Sequence, residues 1–138
     1  MIETKKNITI DAPPAVVFKA LTDESELVQW MFQEAKMDAR VGGEYEFKFN
    51  WPAAKVTSVG KGRIRELIPN KKLSYTFDAD YPGTNRSVKD TIVTWTLEEL
   101  PGDKTRVTLV HVGVDWAGYS YWLEKLASHC RDMISKTS

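Results

Sequence analysis

The chain alternates between apolar and polar positions, with a period of two, over most of its length. The most regular stretch is residues 45–51, where four aromatic side chains take the odd positions and mainly charged ones the even positions. Such alternation is typical of a β-strand with one buried face. Weaker alternation predicts further strands at residues 3–11, 35–41, 56–68, 73–77, 93–97 and 105–111. The pattern therefore predicts a sheet of six to seven strands.

Two parts of the chain follow helical spacing instead. Pro14 follows the first strand and suits the first turn of a helix, which predicts a short helix over residues 14–21. Asp23, with Glu26 three residues later, resembles a capping box and begins a second short helix. Apolar residues at three-and-four spacing predict one amphipathic helix over residues 117–136. The long helix comes after all the strands.

Residues 56–68 change the parity of their apolar positions partway along. Gly60 and Gly62 lie in this stretch. A β-bulge that these glycines permit explains the change of register.

The width of the predicted sheet indicates how it packs against the helix. Six or seven strands at about 4.8 Å give a flat sheet roughly 30 Å wide, whereas a helix with side chains is about 10–12 Å across. A single helix would leave much of a flat aromatic face exposed to water. The sheet must therefore curl around the helix in an α+β fold. Such a cup either fills with side chains or leaves room for one small ligand, and the pattern leaves both open.

Composition and charge narrow the class of protein. The length of 138 residues predicts one domain over residues 1–138. Lys+Arg and Asp+Glu are balanced at 19 each, which argues against a nucleic-acid partner. The apolar stretches are too short for a membrane span, and the first residues lack the order of a secretion signal. The single cysteine, Cys130, fits a reducing cytoplasm and is expected to be a small buried hydrophobe.

The sequence lacks the common motifs of catalysis and cofactor binding. It contains no glycine-rich phosphate loop, no Cys/His metal spacing and no Gly-x-Ser-x-Gly. We therefore expect no catalytic residue, no metal and no cofactor. This favours a binding protein over an enzyme.

Residues on the inward parities are predicted to line a ligand site, with plain core as the alternative. His111 shares the parity of Val107 and Leu109, so it points inward, where it either orients a ligand or has a structural role. His129 lies at the edge of the helix stripe and is expected to be partly exposed. The complete set of predicted ligand-binding residues is Trp30, Tyr45, Phe47, Phe49, Tyr75, Phe77, Trp95, His111, Trp116, Tyr119, Trp122 and Leu126.

Several segments together resemble a known family. They are Ile-Asp-Ala-Pro-Pro-Ala-Val-Val-Phe at 10–18, Leu-Val-Gln-Trp at 27–30, Arg-Val-Gly-Gly-Glu-Tyr at 40–45, Gly62 before residues 64–69, residues 107–111, and Trp-Leu-Glu-Lys-Leu at 122–126. In this combination the chain is similar to the activator of heat-shock protein 90 ATPase homologue family, within the START/Bet v 1-like (SRPBCC) superfamily. One departure is Tyr121, where the family often has glycine.

The resemblance implies a helix-grip fold with a cavity between the sheet and the last helix. It also implies apolar ligands such as lipids, sterols or polyketides. Our first hypothesis is the binding of a small apolar or amphipathic molecule there. The alternatives are a chaperone-associated protein-interaction module or a cofactor-free enzyme acting on a polyketide-like or lipid-like substrate. A monomer or weak homodimer in the cytoplasm is expected.

Overall fold

A computed structural model describes residues 2–51, 56–80, 87–114 and 119–137. Among these described residues, no helix combines the length and apolarity needed to cross a membrane. The elements they form are β1 (Glu3–Ile10), α1 (Pro14–Thr22), α2 (Glu24–Trp30), β2 (Glu34–Met37), β3 (Glu44–Trp51), β4 (Val56–Ile68), β5 (Lys72–Asp80), β6 (Ser87–Leu100), β7 (Lys104–Val112) and α3 (Tyr119–Thr137).

The strands pair in one curved sheet that grips α3. Their order is β1-β7-β6-β5-β4-β3-β2, and every neighbouring pair is antiparallel. The apolar stripe of α3 packs on the inner face, where Leu126 and Cys130 are fully buried. The predicted α+β helix-grip fold is confirmed.

The topology brings different elements to the two ends of the sheet. Strands β3, β5 and β7 run in the same direction, so their last residues lie at one end, together with the first residues of β1, β6 and α3. We call this the open end. The short helices α1 and α2, the β4–β5 turn and the β6–β7 turn lie at the opposite, closed end.

The start of α2 was predicted correctly only in part. The Asp23 carboxylate accepts a hydrogen bond from the Ser25 N–H at 2.8 Å, so Asp23 is the helix cap. Glu26 does not complete a capping box. Its carboxyl group instead lies 3.0 Å from Nε2 of His129 on α3. The packing of α2 against α3 therefore takes the glutamate away from the cap.

The strand predicted at residues 35–41 is shorter in the structure, because β2 ends at Met37. The Arg40 N–H donates to the Asp38 carbonyl at 2.8 Å, which closes a turn. Val41 is 62% exposed, although it continued the apolar parity of the strand. Alternation alone does not separate a short strand from the turn that follows it.

The predicted irregularity of β4 is present, but the glycines do not cause it. Its register against β5 shifts between Ile64 and Glu66, beyond both glycines. Gly60 instead makes room for the Phe77 ring, since a Cβ there would lie 2.8 Å from it. Gly62 admits the backbone of β5, because a Cβ there would lie 1.9 Å from a carbonyl oxygen.

Candidate functional site

Most of the predicted ligand-binding residues are buried on the inner face of the sheet and on the helices that cover it. This group is Trp30, Tyr45, Phe47, Tyr75, Trp95, Trp122 and Leu126, with relative exposures between 0% and 8%. Trp116 lies outside the described residues. Burial of this extent is what a hydrophobic core requires. A ligand-binding role for these residues stays a prediction.

The polar atoms of the most deeply buried aromatic side chains form hydrogen bonds within the chain. The Tyr45 hydroxyl donates to the Thr76 carbonyl at 2.5 Å, and the Trp95 indole N–H donates to the Tyr75 hydroxyl at 3.0 Å. Burial raises the pKa of Tyr75 to about 12, while the pKa of Tyr45 is raised further by burial. Both phenols therefore stay protonated at neutral pH. Phe47 stacks on Phe32 with ring centroids 4.3 Å apart, which extends this packed region toward β2.

The inner face is less well covered at the open end. Phe49 follows Tyr45 and Phe47 on the same parity of β3, yet it is only half-buried. Phe77 on β5 is half-buried as well. Water therefore reaches aromatic surface on the concave side of the sheet at this end.

Polar groups and further rings lie beside these two phenylalanines. Phe49 meets Trp122 of α3 edge-on with centroids 5.3 Å apart, and Phe77 meets His111 edge-on at 5.4 Å. We refer to the residues gathered here as the open-end cluster: Phe49, Phe77, Thr91, His111, Tyr119 and Trp122.

A chain of hydrogen bonds runs through the open-end cluster. The Thr91 hydroxyl lies 2.6 Å from the Phe77 carbonyl oxygen, which can only accept, so the threonine proton is on this bond. His111 Nε2 lies 2.8 Å from Thr91 Oγ1 and must therefore donate to it. His111 Nδ1 is then the acceptor of the Tyr119 hydroxyl at 2.5 Å. The geometry thus assigns the neutral Nε2–H tautomer to His111.

The electrostatic environment of His111 agrees with this tautomer. Its side chain is 2% exposed, and burial lowers the pKa of the imidazole to about 4. Desolvation penalises the charged form, so the ring is neutral at physiological pH. The neutral imidazole of His111 therefore donates through Nε2 and accepts through Nδ1, and it carries no positive charge at physiological pH.

The position of Thr91 is set by a bulge between β5 and β6. The pairing shifts register between Phe77 and Ala79. Opposite this shift, Asp90 adopts a φ of 57°, a left-handed conformation that aspartate tolerates better than most residues. The Asp78 carboxylate accepts the Asp90 N–H at 2.7 Å. The bulge presents Thr91 inward to His111.

Sequence reasoning missed one hydrogen-bond partner at each end of the sheet, Thr91 at the open end and Glu26 at the closed end. Thr91 carried a usable signal, because it shares the parity of Val93, Trp95 and Leu97 and is a polar residue on an apolar face. The partner of His129 carried none, since Glu26 lies 103 positions away. His129 itself is 8% exposed, so the expectation of partial exposure was wrong.

The Glu26–His129 pair is a buried polar contact between side chains at the closed end. Glu26 Oε1 lies 3.0 Å from His129 Nε2, and Lys19 Nζ lies 3.7 Å from Oε2. Among the described residues, Oε2 accepts no hydrogen bond. This carboxyl group therefore depends on His129 for its direct contact.

An open cleft of about 620 Å³ lies on the outside of the closed end. It runs between the start of α1, the β4–β5 turn and the end of β6. The residues that bound it include Pro13, Pro14, Ile68, Lys71, Lys72 and Leu97. The cleft is separate from the open-end cluster.

Comparison with solved structures gives the same fold in proteins of several bacteria. Protein CV1439 from Chromobacterium violaceum is 28% identical, with a TM-score of 0.76, over 91% of this chain and 94% of that chain. Protein NE0264 from Nitrosomonas europaea has a TM-score of 0.79 at 15% identity, over 97% of each chain. The solution structure of the Aha1 dimer from Colwellia psychrerythraea has a TM-score of 0.68 at 21% identity, over 96% of this chain and 93% of that chain. The last two matches show the fold alone.

The sequence comparisons identify the family. No curated protein gives a significant match. The family model described as Activator of Hsp90 ATPase homolog 1-like protein matches residues 11–125. This range covers α1, α2, all strands after them and the first part of α3. The resemblance found in the sequence is confirmed, and the chain belongs to the Activator of Hsp90 ATPase homolog 1-like protein family.

Proposed function

We propose that the protein binds a small apolar or amphipathic molecule between the curved sheet and α3, at the open end. The observation that carries this proposal is the partial exposure of Phe49 and Phe77 on the concave face. Complete burial of an apolar side chain of this size is worth about 1.5–3 kcal/mol relative to full exposure. A ligand that buries the remaining exposed surface of these two rings therefore gains part of that free energy.

The open-end cluster also offers a means of orienting such a molecule. Ligand sites are mostly apolar, with a few polar groups that fix orientation. Here His111 holds the Tyr119 hydroxyl in place through Nδ1, while Trp122 and the two phenylalanines supply the apolar walls. The buried rings behind them form the floor. The predicted role of Trp116 at the entrance is part of the same proposal.

Native mass spectrometry of the protein purified from its own host tests for a retained small molecule. The location of the binding site is tested with variants, by measuring how well a decane-chain ligand displaces the fluorescent dye anilinonaphthalene sulfonate. We expect Phe49→Ala to weaken ligand binding about tenfold, because the variant removes a contact worth about 1.4 kcal/mol. The matched control is Ile68→Ala, which changes an exposed residue of the outer cleft and should leave affinity unchanged.

Two results would contradict this proposal. One is the absence of any bound or displaceable apolar molecule. The other is a loss of affinity in Ile68→Ala with none in Phe49→Ala, which would assign the binding to the outer cleft.

A second candidate function is a chaperone-associated interaction module in the cytoplasm. Membership in a family described as Hsp90 ATPase activator homologues supports it. The related Aha1 structure is a dimer, which supports a weak homodimer for this chain. The test is the ATPase rate of the host's Hsp90-type chaperone with and without a stoichiometric amount of the protein. An unchanged rate, together with a monomer in sedimentation velocity, opposes this candidate.

A further inference from the structure

Strand β1 forms one edge of the sheet, and alternate residues along it direct their backbone groups away from its neighbour β7. In an antiparallel pair, every second residue bonds to the neighbouring strand. The Gly113 N–H donates to the Ile2 carbonyl at 2.8 Å, so this register makes the even-numbered residues of β1 bond to β7. The N–H and C=O groups of Lys5, Asn7 and Thr9 therefore point outward. Among the described residues, none forms a hydrogen bond with these groups.

The opposite edge of the sheet is covered by α2. Strand β2 has only four residues, and the Met37 N–H, which points away from β3, donates to the Glu24 carboxylate at 2.8 Å. Strand β1 has eight residues, and the described part of the chain places no such acceptor along its outer side. An open row of backbone donors and acceptors is a template for pairing with another strand.

The charges of β1 disfavour pairing with a second copy of this chain. Two β1 strands in an antiparallel pair must place their outward residues opposite one another. A pair centred on Lys5 sets this lysine against its own copy, and a pair centred on Lys6 does the same for Lys6. A pair centred on Asn7 sets Glu3 against Asp11. Like charges directly opposite one another are destabilising, so the edge is left for a different partner.

The same charges favour an acidic partner. Lys5 is exposed on the outer face of the sheet, and Lys6 is half-buried on the inner face. Neither lysine forms an ion pair with a residue that the structure describes. Ile8 lies on the same face as Lys6 and is only half-buried, so apolar surface is open beside the edge.

We propose that the edge of β1 is a docking site for an extended acidic segment of a partner protein, which adds to the sheet as a further antiparallel strand. An apolar residue of the segment lies opposite Ile8, and two acidic residues lie opposite Lys6 and Lys5. Along the partner chain, the recognised pattern is therefore apolar, any residue, acidic, acidic. The outward backbone groups supply affinity, while the three side chains select the segment. This site is separate from the ligand site between the sheet and α3.

A labelled peptide, Thr-Val-Thr-Glu-Glu-Thr, tests the proposal against the matched control Thr-Val-Thr-Gln-Gln-Thr. Binding to the full chain is measured by fluorescence anisotropy. We expect the acidic peptide to bind at least about tenfold tighter at low salt, which corresponds to about 1.4 kcal/mol. High salt should reduce this preference, because it screens exposed charges. Equal affinity for the two peptides, or binding of neither, would overturn the proposal.

Two variants separate the contribution of the backbone from that of the charge. Asn7→Pro removes an outward N–H and keeps the bonds to β7, since an edge strand tolerates proline where the N–H would face solvent. It should weaken binding of the acidic peptide at least about tenfold, whereas Asn7→Thr keeps the N–H and should bind as the wild type does. Lys5→Glu should bring the preference for the acidic peptide near one and leave binding of the decane-chain ligand unchanged.

Unchanged peptide binding in both Asn7→Pro and Lys5→Glu would contradict the proposal. An equal loss in Asn7→Thr and Asn7→Pro would do so too, because it would assign the contact to the asparagine side chain.

Amide hydrogen exchange of the unaltered protein covers the case in which a variant does not fold. Without peptide, the Lys6 and Ile8 amides should exchange slowly and the Lys5, Asn7 and Thr9 amides fast. Saturation with the acidic peptide should slow the three fast amides. Slow exchange of these three before the peptide is added would show that the edge is already covered. Fast exchange after saturation would place the peptide elsewhere, and either result would overturn the proposal.

Discussion

The two ends of the sheet bury polar groups in different ways. At the closed end, a glutamate and a histidine from distant parts of the chain form a pair with 3% and 8% exposure. At the open end, His111 is as deeply buried, but its partners are hydroxyl groups and its pKa is lowered to about 4. The first arrangement joins two helices, whereas the second orders neutral hydrogen bonds beside half-buried rings. The difference indicates that the closed end stabilises the fold and the open end keeps apolar surface accessible.

Removal of one partner of the closed-end pair should have the largest effect. His129→Leu leaves the Glu26 carboxyl group buried without its direct contact, and breaking a buried pair in this way costs about 3–5 kcal/mol. Replacing both residues with leucine should cost less than His129→Leu alone, because no uncompensated polar group remains. Urea denaturation gives both values. A double variant less stable than the single one would show that the pair itself stabilises the fold.

Truncation of an apolar side chain should also lower the free energy of unfolding more at the closed end than at the open end. Ile10 at the closed end is fully buried, so Ile10→Ala should lower the free energy of unfolding by about 2–5 kcal/mol. Phe49→Ala should cost roughly half of what a buried phenylalanine costs, about 2 kcal/mol, because the ring is only half-buried. Equal losses per atom removed would mean that the open end is packed as densely as the closed end.

Acid should weaken the open end through His111. Its pKa is lowered in the folded state from 6.5 to about 4, so between these values the unfolded state binds more protons. The stability that the neutral ring contributes is complete above about pH 6.5 and is lost as the pH falls toward about 4. The loss is on the order of 3 kcal/mol.

The measurement is the free energy of unfolding across this pH range for the wild type and for His111→Gln. Contributions from all other groups are the same in both proteins and cancel in the difference. A difference that does not change with pH would show that His111 has the same pKa in the folded and unfolded states, and would contradict the prediction.

The smallest effect is expected at the bulge behind Thr91. Asp78→Ala removes the acceptor of the Asp90 N–H, a hydrogen bond worth about 1 kcal/mol. Asp78→Asn keeps an acceptor oxygen and should be near neutral. Thermal unfolding compares the two variants. Equal stability of Asp78→Ala and the wild type would mean that the bulge holds Thr91 without this contact.

The fold could be predicted because its signals are local. The aromatic alternation at residues 45–51, Pro14 at the start of α1 and the three-and-four spacing of α3 each depend on neighbours in the sequence. Where the prediction was wrong, a local pattern had more than one structural meaning. The glycines of β4 suggested a bulge, but they serve contacts with β5 that the sequence of β4 cannot reveal.

The candidate site could be predicted less completely for the same reason. The inward direction of His111 followed from its parity, and the structure buries it as expected. Its two hydrogen bonds involve residues 8 and 20 positions away, so they depend on the register of three elements. The curvature of the sheet also decides whether an inward ring lies in the packed core or at the open end. Alternation in the sequence reports only which side of a strand each residue faces.

The single cysteine of the chain provides a probe of helix release. Cys130 lies on α3 with no exposed surface, and burial, together with the nearby Glu26 carboxyl group, raises its pKa to about 12. The thiolate is the reactive form of cysteine, so an alkylating reagent can modify this sulfur only after α3 separates from the sheet. Each molecule therefore records that separation as a single addition of mass, in the unaltered protein and in any variant that keeps this residue.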